Sequence, residues 1–363
     1  MHPFDIYKNT KVFSCLDGMR CASITYVIWH HTAQIHPPFL PMFKRGFIGV
    51  DIFFVISGFL IVTLLLRERE KTGKISLENF YMRRFLRIFP IYYTLLAILT
   101  LFLLFVKPDA NMRKPFFEDL PYYATYTSNW HQNQTMMSIT WSLATEEQFY
   151  LLWPFLQKYV VFAMPLLIGF FIFNQGVNFG MLRHILSLEN AAYFDSLEIV
   201  QCTFTPICLG IFLAYLLNNR KGYNFFYSIF GKKYSPFWAC LGLFIALNLP
   251  GEDIRGAVRL TIQIFAALLI ASLVVKENNI FQRILTFYPI KRIGVVSYGM
   301  YLYHLFLLAV ALKIMQLLHF HHTLLLFFLT LILTYLFSEI SYRFYESPLL
   351  RLKKRYEPKI PRK

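Results

Sequence analysis

Apolar residues in this chain run in long blocks separated by short polar clusters, with few of the alternating patterns that mark half-buried strands. A hydrocarbon layer takes about 20 helical residues, within a range of about 17–25. Ten blocks are candidate spans: 20–35, 47–66, 87–106, 141–157, 159–174, 202–217, 236–249, 257–275, 293–315 and 323–342. The second, third, eighth, ninth and tenth are long and uniformly apolar. The first carries Arg20, Ser23, Thr25, His30 and His31, and the fourth contains Glu146 and Glu147. The seventh is short enough for a shallow or re-entrant piece. The first block ends in two histidines and His36-Pro37-Pro38, without the small-residue site of a secretory leader. The pattern predicts an all-α integral membrane protein, a bundle of about ten transmembrane helices. Residues 1–345 would form one membrane domain and 346–363 a basic cytoplasmic tail.

Composition agrees. Of the 363 residues 56% are hydrophobic and 15% charged, which excludes disorder and disfavours an ordinary soluble domain. The formal net charge of +16 is unevenly placed. With the N-terminus inside, 27 of the 36 Lys and Arg residues fall on cytoplasmic segments, so the chain is predicted N-in and C-in. The basic excess thus orients the chain in a bilayer and is no nucleic-acid signal. The five scattered cysteines form no C-x-x-C pair and read as apolar filler. H-E-x-x-H, Walker and G-x-G-x-x-G patterns are absent, and no metal is expected.

Ionisable groups inside spans are costly, which makes His30, His31, Asp51, Glu146, Glu147, His304 and Glu339 the residues of interest. Arg20 and His31 are eleven residues apart, about 16 Å and about 20° past three turns, so they share a helix face. His31 would lie in the middle or outer half of its span, where an imidazole exchanges protons near neutral pH. Arg84 and Arg87 share a face at the inner surface. They suit either a lipid anchor or a clamp for a phosphorylated ligand. In Trp141-Ser142-Leu143-Ala144-Thr145-Glu146-Glu147-Gln148, the adjacent glutamates diverge by about 100°.

Together these stretches resemble acyltransferase family 3, which includes O-antigen and other surface-polysaccharide O-acetyltransferases, Nod-factor O-acetyltransferases and macrolide O-acyltransferases. Leu16-Asp17-Gly18-Met19-Arg20 followed by His31 is similar to the family's opening motif. Gly49 to Leu60 resembles its second-span signature, and Arg84-x-x-Arg87-Ile88-x-Pro90 its Arg-x-x-Arg element. Trp141 to Tyr150, Ser297 to His304 and Tyr345-Glu346-Ser347-Pro348 complete the order. Cys21 stands where the family commonly has glycine.

The resemblance implies transfer of an acyl group, by family frequency acetyl, from cytoplasmic acyl-CoA to a hydroxyl on a surface polysaccharide or lipid-linked glycan. Lipopolysaccharide O-antigen is the favoured acceptor and a bacterial inner membrane the expected location. His31 would be general base or acyl carrier, with Glu146, Arg20 and Asp51 in the catalytic set. Arg84 and Arg87, with Arg20, would hold the donor. Glu147, Gln148, His304 and Trp141 would line the acceptor site. With no hydrolase-like domain in this sequence, the chain is expected to complete transfer itself. A polytopic transporter is the rival reading, since it too carries ionisable groups in spans.

Overall fold

The computed structural model describes residues 2–32, 40–106, 110–131, 135–160, 163–181, 204–251 and 254–357. Among them there is helix and no strand. The chain forms two compact units: Met1–Leu66 with Phe204–Ser338, and Arg67–Thr203 with Glu339–Lys363.

The first unit contains α1 (Pro3–Asn9), α2 (Ser14–Thr32) and most of α3 (Ile48–Thr72). It also holds α8 (Thr205–Asn218), α9 (Arg220–Phe230), α10 (Ser235–Leu247), α11 (Gly256–Val275), α12 (Gln282–Leu285), α13 (Tyr288–Leu317) and most of α14 (Thr323–Ser341). Between Asp51 and Arg67, helix α3 is apolar apart from Ser57, Gly58 and Thr63, as a helix packed on all sides is. Its Phe54, Val55, Ile56, Phe59, Ile61, Val62 and Leu65 are almost wholly buried. Two close crossings fix this unit. A Cβ on Gly294 of α13 would fall 1.8 Å from the Asp17 carbonyl oxygen of α2, and one on Gly18 would fall 2.4 Å from that of Leu285. Likewise Gly58 of α3 and Gly210 of α8 each back onto the other helix's main chain, at 2.3 Å from Ile207 O and Val55 O. Small residues at such crossings let helix backbones approach in lipid, where apolar association alone has little drive.

The second unit is built on α4 (Leu77–Phe105), α5 (Ala110–Ala124), α6 (Trp141–Tyr159) and α7 (Ala163–Asn178), with α15 (Ser347–Leu352) near the C-terminus. Ser76 caps α4 by accepting from Asn79 N, and Pro90 lies within that helix. Phe85, Ile98, Leu101, Phe102 and Phe105 of α4 are exposed and suit a lipid face.

Among the described residues five helices are long and apolar enough to cross a membrane: Ile48–Thr72, Leu77–Phe105, Gly256–Val275, Tyr288–Leu317 and the stretch beginning at Thr323. These coincide with the five most uniform blocks. The other five blocks fall on α2, α6, α7, α8 and α10, helices of 13 to 19 residues. The first begins at Ser14 rather than 20, and its predicted end, from 33, lies outside the described residues. Beyond α4 the chain carries helix α5, despite Pro115 and Pro121. Part of the tail is ordered: α15 is followed by a 3₁₀ turn, Lys353–Tyr356.

Candidate active site

The six motif stretches divide between the units. The Arg20–His31, Gly49–Leu60 and Ser297–His304 stretches lie in the first, and the Arg84, Trp141 and Tyr345 stretches in the second.

In the first unit, the α2–α13 crossing brings His31 and His304 together. Their ring centroids are 4.9 Å apart at 63°. His31 is exposed, whereas His304 is fully buried. His31 Nδ1 lies 2.9 Å from Val27 O, and His304 Nδ1 lies 2.6 Å from Tyr301 O. A carbonyl only accepts, so each Nδ1 carries the proton and each neutral ring presents a bare lone pair at Nε2. Among the described residues His304 Nε2 has no hydrogen-bond partner. His30 sits edge-on to His31 at 5.2 Å, with its own Nδ1 3.1 Å from Lys44 O. The sequence ranked His31 above His30, and the structure pairs His31 with His304.

Arg20 Nη1 donates to Asp17 Oδ1 at 2.8 Å, one turn away. Asp51 is paired elsewhere. It is wholly buried, accepts from Arg259 Nη2 at 2.8 Å and from Gln263 Nε2 at 3.3 Å, and lies 2.8 Å from Arg259 Nε. The Arg259 guanidinium also covers the Phe47 ring at 4.9 Å. Sequence reasoning did not single out Arg259 and Gln263. Their signal was present: two polar residues four apart, facing one way from an otherwise apolar helix.

In the second unit, Arg84 lies over the Tyr150 ring at 5.0 Å and the Phe80 ring at 5.8 Å. Glu146, Glu147 and Arg87 are all within electrostatic reach of Arg84. Both glutamates are half-buried, and Glu147 is also within electrostatic reach of Tyr93. Among the described residues neither Arg84 nor Arg87 makes a hydrogen bond or ion pair within 4 Å through its guanidinium. Arg83 differs: its Nη2 donates to Glu68 Oε2 at 3.1 Å, and its Nη1 to Tyr356 O. Lys353 on the tail lies in the field of Arg83, Arg84 and Arg87.

The late Tyr345 motif meets the Arg84 motif on α4. Tyr345 Oη is 2.7 Å from Thr94 Oγ1 and donates to Pro90 O at 3.3 Å, and Glu346 lies within electrostatic reach of Arg87. Gln148 has all its capacity engaged: Oε1 accepts from Asn129 and Trp130, and Nε2 donates to Tyr126 O and Asn129 Oδ1. It ties the segment 126–130 to α6. Trp141 opens α6, half-buried. Tyr92 and Tyr93 donate to the carbonyls of Tyr123 and Ala124, which holds the end of α5. Nearby, His131 Nε2 lies 3.0 Å from Asp119, and Tyr123 Oη donates to the other oxygen of the same carboxylate. Burial pushes the Tyr123 phenol up, so it serves as a donor. Among the described residues no three His, Cys, Asp or Glu side chains group as metal ligands do.

A family model described as an acyltransferase domain matches residues 13–342, which takes in all three first-unit motifs and the Arg84 and Trp141 stretches. The chain belongs to acyltransferase family 3. It is similar to "Putative O-acetyltransferase SACOL0978" of Staphylococcus aureus strain COL, 29% identical over 95% of this chain and 58% of that protein. "O-acetyltransferase OatA" of S. aureus strain NCTC 8325 / PS 47 is also 29% identical, over 92% of this chain and 56% of its own length. The chain thus spans less than two thirds of the curated relatives it matches. No solved structure matches it. Together the membrane-length helices and the bacterial relatives make this family member an integral membrane protein.

Proposed function

We propose that this acyltransferase family 3 member is an O-acetyltransferase that moves an acetyl group from cytoplasmic acetyl-CoA to a hydroxyl of a surface glycan. Lipopolysaccharide O-antigen is the acceptor to test first, and the bacterial inner membrane the site of action. The observation that carries the reading is His31: an exposed imidazole whose Nδ1 is engaged by Val27 O, which leaves the lone pair of Nε2 as its base. The names of the relatives support acetyl as the group transferred.

His31 Nε2 takes the proton of the acceptor hydroxyl as its oxygen attacks the thioester carbonyl carbon. The carbon–sulfur bond breaks, and His31 returns the proton to the departing thiolate, so the ring ends neutral. Arg84 and Arg87 fit the donor's phosphates, because among the described residues both guanidiniums make no protein hydrogen bond and Arg84 is stiffened by stacking on Tyr150. Glu146 and Glu147 limit the positive field there, which leaves those arginines with net charge for an anion without a permanent partner.

The test uses the full chain in membranes, with free CoA release and glycan acetylation measured together. His31→Ala inserts normally and loses about a hundredfold or more of both signals. Near-normal transfer by a folded His31→Ala protein refutes the assignment. Acceptor modification without thioester consumption refutes the donor.

A further inference from the structure

In the second unit the C-terminal segment is fastened to the helix that carries the arginine pair. Tyr345 Oη donates to Pro90 O of α4 at 3.3 Å and lies 2.7 Å from Thr94 Oγ1. Beyond α15, the 3₁₀ turn Lys353–Tyr356 is held through Tyr356 O, which accepts from Arg83 Nη1. Arg83 is itself fixed by Glu68, whose Oε2 accepts from its Nη2 at 3.1 Å. The turn therefore lies against α4 at the level of Arg83, and Lys353, three residues before Tyr356, is half-buried there.

The protein alone is a poor match for a lysine in that place. The cations whose charge acts on it are Arg87, Arg84 and Arg83, and the carboxylate that does so is exposed Glu357. Glu68 is committed to Arg83, while Glu146, Glu147 and Glu346 act on Arg84 and Arg87. Among the described residues the Lys353 ammonium has no hydrogen-bond or ion-pair partner. Holding a strongly hydrated ammonium beside three guanidiniums costs free energy, since like charges at short range repel. A polyanion placed between them turns the same arrangement into an attraction.

We propose that Lys353 is a further donor-binding residue: with Arg84 and Arg87 it forms a three-cation cradle for the phosphates of a soluble acyl-CoA, and Arg83 ties the tail in place for it. The proposal rests on the reading of acyl-CoA as the donor and adds a residue to it. Coenzyme A bears a diphosphate and a 3′-phosphate, more negative charge than two guanidiniums neutralise, so a third cation has a group to serve. Arg84 is stiffened by the Tyr150 ring, whereas the flexible stem of Lys353 lets its ammonium follow a phosphate. Lys353 also lies beyond residues 13–342, the stretch the family model matches, so the tail supplies this cation. A lipid headgroup offers the same phosphate chemistry, but three convergent cations suit a soluble polyphosphate better than a lipid with a single charge.

The test uses the full chain in detergent and reads binding, not turnover. Propionylation by an N-hydroxysuccinimide ester, followed by mass spectrometry, measures the reactivity of each lysine. Saturating acetyl-CoA slows labelling of Lys353 and leaves that of exposed Lys354 unchanged. Lys353→Gln weakens equilibrium binding of acetyl-CoA by about tenfold or more, as loss of one charge-assisted hydrogen bond does, and Lys353→Arg keeps it. Without ligand Lys353→Gln melts no lower than the wild type, because it removes a like charge from the cluster. Wild-type affinity in Lys353→Gln, or labelling of Lys353 that acetyl-CoA leaves unchanged, overturns the proposal while the donor reading stands. Acetyl-CoA that fails to bind the wild type overturns both. The lipid arm repeats the labelling in nanodiscs of phosphatidylcholine and of phosphatidylglycerol, with equal rates at Lys353 expected before acetyl-CoA is added. Protection by phosphatidylglycerol that acetyl-CoA does not deepen makes the cluster a lipid anchor and overturns the proposal.

Discussion

The family motif places Asp51 among catalytic candidates, whereas its surroundings are those of a structural ion pair, and the two roles separate cleanly in one experiment. Asp51 has no exposed surface, and its partner Arg259 is 5% exposed. Replacing Asp51 with Ala removes the acceptor of Arg259 Nη2 and of Gln263 Nε2 and strands a guanidinium away from water. Breaking a buried pair from one side costs about 3–5 kcal/mol, mostly the penalty of the charge left behind. That is a large part of the roughly 5–15 kcal/mol that holds a typical fold. Removing both charges, as Asp51→Leu with Arg259→Met, leaves no stranded ion and recovers most of the loss. The double-mutant cycle should therefore show a coupling of about 2–3 kcal/mol. Thermal unfolding of the purified protein in detergent gives the stabilities, and acetyl transfer per folded molecule gives the activity. A folded Asp51→Ala protein that melts with the wild type but does not turn over would refute the structural argument and return Asp51 to the chemistry.

Three further outcomes follow from named contacts. Arg84→Gln with Arg87→Gln should weaken donor binding by at least about tenfold, measured by equilibrium binding of radiolabelled acetyl-CoA, since charge-assisted hydrogen bonds contribute about 1.5–3 kcal/mol each; unchanged affinity in a folded protein makes the pair a lipid anchor. Gly294→Ala should destabilise by about 1–3 kcal/mol, because its Cβ would overlap the Asp17 carbonyl and α2 must move, and an unshifted melting temperature counts against the close crossing. Glu277, between α11 and α12, accepts from Ser14 N at the start of α2, and burial holds its carboxyl above the usual range. A carboxyl raised in the folded state binds its proton there first, so its contribution to stability falls as pH rises from about 4.5 through the folded value. Melting temperatures across that window should lose this component in Glu277→Gln, which keeps an acceptor for Ser14; identical slopes would exclude it.

The sequence exposed most of what depends on periodicity and on misplaced charge. The five long apolar blocks are helices of membrane length, and Arg84 of α4 lies over Tyr150 of α6. Pairings between distant helices were not readable. Nothing local says that Asp51 belongs to Arg259, 208 positions away, rather than to Arg20, because a single chain gives the face of each helix but not its neighbour. The same blindness hid the His31–His304 contact, although both residues were singled out separately. Glu146 and Glu147 show a different limit. Angular divergence on an ideal helix predicts that one faces inward, yet side-chain reach lets both attend to Arg84. Gln148, expected at the acceptor site, is hydrogen-bonded to Tyr126, Asn129 and Trp130.

Helices α8 and α10 have 14 and 13 residues, about 20 Å of rise against a hydrocarbon layer of about 30 Å. Phe237, Trp238, Phe244 and Ile245 of α10 are nevertheless exposed as lipid-facing side chains are. One end of α10 is sealed from within: buried Arg45 donates to Leu247 O at 2.9 Å and to Gly251 O at 3.3 Å, where helix-end carbonyls would otherwise call for water. A short helix that meets lipid is matched by a locally thinner bilayer. Lipid chain length then becomes a control on this protein: reconstitution in shorter-chain lipids relieves the mismatch, and longer chains strain the helices that carry His31 and His304.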